Sequence, residues 1–201
     1  AGGIMAGVDT LNIVVHGRST HGAKPWDGVD PVVVAAQIVL GLQTIVSRQV
    51  ELIKAPVVVT IGKIEGGIRS NIIPDEVQMI GTIRTFDPKM RLDVLDRIKR
   101  TAEDIAAASG ATATVRFDTE VSYPVTYNDP ALTAQMLPTL TRVVGAADLV
   151  ETPPTTWSED FSFYQQKIPG LFVFLGVRKP GAGADEYAPN HSPRFQVDER
   201  A

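Results

Sequence analysis

The chain has 201 residues, 44% of them apolar and 21% charged, with a formal net charge of −4. That length suits one domain of ordinary size or two small ones, and that composition belongs to a folded globular chain. The absence of cysteine excludes disulfides, thiolate nucleophiles and Cys-based zinc sites, and scattered basic residues under a negative net charge give nucleic acid little to bind.

Elements follow in a clear order. Leu11, Ile13 and Val15 alternate with Asn12, Val14 and His16 and predict a strand. Ser19-Thr20-His21-Gly22-Ala23-Lys24-Pro25 follows as a turn, in which Gly22 is expected to supply unusual backbone angles and Pro25 to restrict Lys24. Asp30-Pro31 starts a helix running to about Arg48. Val57 to Ile64 is a second strand, the segment Gly66 to Asp75 turns the chain, and Glu76 to Phe86 is a third strand. Asp87-Pro88 starts a second helix, which Gly110 stops, and Ala111 to Phe117 is the fourth strand.

The order β-α-β-β-α-β is that of the ferredoxin-like arrangement, an α+β fold with two helices on one face of an antiparallel sheet. The second helix carries Leu92, Leu95, Ile98, Ala102 and Ile105 as its apolar stripe, with charge pairs four residues apart elsewhere. The first is apolar nearly all round, which fits either a subunit interface or tight core packing. No apolar run is read as reaching the roughly 20 residues of a membrane helix. No secretory leader is visible, and the Ala-Gly-Gly start leaves room for one already removed. No membrane partner and a cytoplasmic location are expected.

From about Val121 the pattern changes. Proline-rich punctuation frames a helix from Pro130 to Val144 with Pro138 as an internal kink or break. A short helix or turn around Ser158 to Lys167, a buried strand from Leu171 to Val177 and a loop to His191 complete the chain. An all-apolar strand wants neighbours on both faces, so this part reads as a fragment of a larger α/β domain.

Generic catalytic motifs are absent. Gly17 to Gly22 misses the spacing of a nucleophile elbow, and there is no phosphate-binding loop and no H-E-x-x-H pair. Three histidines make no evident metal cage, and His16, alternating with strand residues, reads as structural. Four places remain: His21 on its turn; Asn71 between the second and third strands; Arg84, which, if Val77, Met79 and Ile83 face the helices, projects from the helix-free face of the third strand, where its fork could hold a carboxylate; and the segments Ser158 to Ser162 and Asn190 to Phe195.

In order, Ser-x-His-Gly-Ala-x-Pro, Asn-x-Ile-Pro-Asp-Glu, Gly-x-x-Arg-Thr-Phe-Asp, Glu-Asp-Phe-Ser and His-Ser-Pro-Arg-Phe resemble the M20 metallopeptidase family. Within it the likeness is to the amidohydrolase branch of hippurate, N-acyl-amino-acid and auxin-conjugate hydrolases. The resemblance implies a ferredoxin-like lid and dimerisation domain over residues 1–118. Residues 119–201 would be the C-terminal portion of a zinc-peptidase-like α/β catalytic domain. It implies a homodimer through the lid and a small amide substrate. His21 would reach across the dimer to the scissile carbonyl, Asn71 and Arg84 would bind the amide and carboxylate ends, and Ser158 would line the pocket. Glu159 is given no direct catalytic role. His191 would be one ligand of two divalent ions (Zn, Mn, Co or Ni). The other ligands and the general base belong, in that family, to a first half before the lid. The resemblance therefore implies a portion of a hydrolase that is inactive alone, and the rival reading is a non-catalytic dimerisation or binding module.

Overall fold

Three Asp-Pro steps, at Asp30, Asp87 and Asp129, start the three long helices of the computed structural model, which describes residues 1–178, 181, 183 and 188–199. In each, the aspartate side chain accepts backbone N–H bonds that the first turn leaves unpaired: Val32 and Val33 donate to Asp30, Met90 to Asp87 and Leu132 to Asp129. Proline at the first helical position loses no bond, because its missing N–H would have been unpaired.

In chain order the strands are β1 (Gly2–Met5), β2 (Gly7–His16), β3 (Thr20–His21), β4 (Val57–Gly66), β5 (Ile72–Ile73), β6 (Glu76–Thr85), β7 (Thr112–Tyr123) and β8 (Thr126–Asn128). The helices are α1 (Pro31–Thr44, continued by a π turn over Ile45–Gln49), α2 (Pro88–Ala108), α3 (Pro130–Val144) and α4 (Ser162–Gln165). Gly110, at φ +74°, closes the end of α2 as its sequence predicts. Helix α3 runs continuously through Pro138, so the break allowed for there does not occur.

The main sheet is antiparallel in the order β4-β6-β2-β7, the ferredoxin-like arrangement. Its core face presents Leu11, Ile13 and Val15 from β2 and Val77, Met79 and Ile83 from β6. Against them lie Val34, Ile38 and Leu42 of α1 and Val94, Ile98, Ala102 and Ala106 of α2. The buried stripe of α2 is thus shifted from the expected one: Val94 and Ala106 are buried, and Leu92 is 63% exposed. Helix α1 buries one face only; Val32, Val33 and Leu40 stay exposed. The helix Pro31–Gln49 has 19 residues and is long and apolar enough to cross a membrane by length and composition, contrary to the sequence reading. Its buried side chains belong to the sheet's core, which accounts for part of that apolarity.

Strand β8 pairs with β1, and Thr155 bridges to the same strand, its N–H donating to the Ile4 carbonyl at 2.9 Å. The chain divides into two compact units, residues 1–171 and 172–199 as described. The strand predicted over Leu171–Val177 is not formed, and Val173, Phe174 and Leu175 are exposed. A strand exists through its ladder, and among the described residues this run has no partner strand to bond its backbone. Of the loop to His191, residues 179, 180, 182 and 184–187 lie outside the described residues, as do residues 200 and 201.

Candidate functional site

The turn that presents His21 is closed by main chain. Arg18 and Val29 exchange N–H to carbonyl bonds at 2.9 and 3.0 Å across its base. Within it, β3 pairs with β5, so that His21 faces Ile72 and Thr20 faces Ile73. Ser19 adds two ties, its N–H to an Asp75 carboxylate oxygen (3.0 Å) and its hydroxyl to the Ile73 carbonyl (2.8 Å). Gly22 donates its N–H to the Asn71 carbonyl at 2.8 Å. That bond gives the physical reason for the glycine, and it corrects the sequence reading. Gly22 is not among the positive-φ residues, but a Cβ there would meet the Asn71 carbonyl carbon at 3.2 Å. His21 and Asn71 are therefore brought together, both exposed. The Ala23 N–H donates to His21 Nδ1 at 3.0 Å, leaving Nε2 as the nitrogen open to a ligand.

The second pair forms at the other end of β6. Alternation puts Val77, Met79 and Ile83 in the core, so Arg84 stands on the helix-free face as predicted. Its Nη1 donates to Ser158 Oγ at 2.6 Å, which joins two residues 74 apart in sequence. Among the described residues no carboxylate pairs with Arg84. Burial alone pushes its pKa below the ordinary guanidinium value, yet a guanidinium remains charged at neutral pH. A half-buried fork with one hydroxyl partner and no counter-ion is suited to an incoming anion.

The same end holds a brace that the sequence reading missed. Asp9, 1% exposed, takes Arg91 Nε and Nη2 at 2.7 and 2.6 Å and the Ser122 hydroxyl at 2.9 Å. The Asp9 carboxylate raises the pKa of Arg91. The signal was available: Asp9 occupies the core face of β2 with Leu11, Ile13 and Val15, and an acid there demands a partner.

The two candidate pairs lie apart. Ser19, two residues before His21, is tied to Asp75 just ahead of β6, and the eight residue steps from Glu76 to Arg84, at about 3.3 Å each, span roughly 26 Å. His16 sits at the end of β2, exposed and 3.6 Å from Glu76, a surface ion pair when protonated. In the C-terminal unit His191 is exposed, with φ +69° and its N–H bonded to Asn190 Oδ1. No group of three or more His, Cys, Asp or Glu among the described residues could hold a metal ion, so His191 belongs to no such group there. These residues by themselves do not fit a dinuclear centre.

The sequence profile of the peptidase dimerisation domain of M20 enzymes matches residues 5–110. Thermostable carboxypeptidase 2 of Saccharolobus solfataricus is 39% identical over 98% of this chain and 49% of its own length. N-acetyl-L-cysteine deacetylase of Bacillus subtilis is 36% identical over 100% of this chain and 45% of its own. A crystal structure described as a dinuclear metal-binding M20 peptidase from Bacillus subtilis superposes with a TM-score of 0.75 at 32% identity, covering 99% of this chain and 47% of that one. The chain spans about half the length of the curated relatives it matches.

Proposed function

The chain belongs to the M20 peptidase family, and on that premise we propose that it is the dimerising and substrate-gripping portion of an amidohydrolase acting on N-acyl amino acids or related small amides. The supporting observation is the separation of the two pairs. One small amide cannot touch both on one subunit: two residue-lengths of extended chain span about 7 Å, against roughly 26 Å along β6. A substrate gripped at both ends would take Arg84 and Ser158 from one subunit and His21 and Asn71 from its partner. The exposed Val32, Val33 and Leu40 of α1 are apolar surface that a homodimer through residues 1–118 could cover. Residues 119–201 would then belong to the catalytic domain.

In this scheme Arg84 binds the substrate carboxylate through its fork, with Ser158 beside it. His21 donates a hydrogen bond to the amide oxygen as charge develops there, and Asn71 bonds the amide end. His191 would serve as a single metal ligand.

The test is complementation in the complete enzyme. His21→Ala and Arg84→Ala, each nearly inactive alone, are mixed and allowed to exchange subunits. A twofold dimer with shared sites should recover roughly a quarter of the wild-type rate, since half the dimers are mixed and each holds one intact site. No recovery in verified mixed dimers means that each site is built within one subunit. The rival reading, a non-catalytic dimerisation module, draws on the absence of a metal cluster among the described residues. It predicts a dimer that neither binds metal nor hydrolyses amides, even when complemented by an M20 metal-bearing half.

A further inference from the structure

Neutral imidazole has one N–H donor and one acceptor nitrogen, and which is which depends on the bond that the other nitrogen makes. At His21 that bond comes from the backbone. The Ala23 N–H points at Nδ1 from 3.0 Å. A proton on Nδ1 would set two donors against each other, so Nδ1 must be the acceptor. We propose that the Ala23 backbone amide is a tautomer lock: it fixes neutral His21 as the Nε2–H form, so that the ring meets its ligand as a hydrogen-bond donor and not as a base.

The surrounding bonds leave the Ala23 amide little freedom to turn away. His21 O accepts from the Lys24 N–H at 2.8 Å, closing a turn over residues 21–24. Inside that turn a side-chain acceptor takes the N–H two residues on, the arrangement that Asp and Asn make in Asx turns. Here the imidazole fills that role and keeps its second nitrogen for use. Gly22, between the two partners, is pinned by its bond to Asn71 O. Thr20 Oγ1 reaches the Lys24 carbonyl at 3.3 Å across the same turn. The lock is thus main-chain in origin, and no carboxylate behind the ring is needed to orient it.

The lock deepens the reading of His21 as a carbonyl donor and rests on it for its use, but it can be tested without catalysis. In the purified 15N-labelled chain, at a pH where the ring is neutral, a scalar coupling should appear across the hydrogen bond between the Ala23 amide nitrogen and His21 Nδ1. Long-range proton–nitrogen spectra should show Nδ1 as the unprotonated nitrogen and Nε2 as the protonated one. An assigned Ala23 amide with no such coupling, or an Nδ1-protonated ring, would overturn the lock. The two ideas can fail separately. Coupling present with His21→Ala fully active in the complete enzyme would keep the lock and discard the donor role. Coupling absent with His21→Ala impaired would do the reverse.

Discussion

The two ends of the β2–β6 strand pair are built by different means. At the His21 end the chain closes on itself through main chain: Arg18 with Val29, Gly22 with Asn71, Lys24 with His21, and Gly17 N–H to the Asp75 carbonyl at 2.7 Å. At the Arg84 end the ties are side chains reaching across the sequence. Arg91 to Asp9, Ser122 to Asp9 and Arg84 to Ser158 span 82, 113 and 74 residues. Main-chain closure survives most substitutions and presents one side chain in one pose. Side-chain closure fails wherever a single partner is lost. A rigid donor and an adjustable anion grip are what a site shared between subunits would ask of its two contributors.

The largest effect should follow from removing the brace. Arg91→Ala leaves the Asp9 carboxylate buried with Ser122 as its remaining side-chain partner, and breaking such a pair costs about 3–4 kcal/mol. Urea unfolding of this chain measures it. The contrast between the ends predicts that the His21 turn keeps its backbone bonds in the folded variant, so the Gly22 and Val29 amides should exchange no faster than global unfolding allows. Loss of their protection beyond that level would show the two ends to be one cooperative piece. A destabilisation under about 1 kcal/mol would mean that the ion pair is a surface contact in energetic terms.

At the other end the loss should be chemical rather than structural. His21→Ala keeps every main-chain tie of the turn, so folding should hold while kcat of the complete enzyme falls roughly 10²–10³-fold, the usual cost of one oxyanion donor. Steady-state kinetics beside a thermal melt separate the two outcomes. A near-normal kcat removes His21 from the chemistry, and a large drop in melting temperature would recast it as a structural residue.

The same contrast explains what could be read from the sequence. The His21 end was legible because its signals are local: a His-Gly-x-x-Pro turn, a β-branched strand, an Asp-Pro helix start. Even there the reason for Gly22 was misread, because close approach to Asn71 is a contact 49 positions away rather than a torsion preference. Arg84 could be placed on its face by period-two alternation, but nothing near it in sequence announces Ser158 as its partner. Asp9 was legible as a misfit and was overlooked. Leu171–Val177 shows the opposite error. Its apolar run states a preference for a buried strand, but a preference is not a ladder, and its backbone finds no partner strand among the described residues.

The smallest predicted effect bears on what the Arg84 contact is for. Ser158 Oγ, as acceptor, holds one edge of the guanidinium at 2.6 Å, and it occupies a donor that a substrate carboxylate could use. If the hydroxyl orients the fork, Ser158→Ala loosens it, and one such bond is worth about 1 kcal/mol, or about a fivefold rise in KM with kcat unchanged. If instead the hydroxyl competes with the carboxylate, the same variant lowers KM. Orientation is the expected outcome, because Arg84 has no other side-chain partner among the described residues and a free guanidinium would lose several rotamers on binding. Ser158→Thr, which keeps the hydroxyl, should restore the wild-type KM in the first case. A lower KM in the alanine variant would make Ser158 a placeholder that the substrate displaces, and the Arg84 end would then be pre-charged for exchange rather than pre-organised for capture.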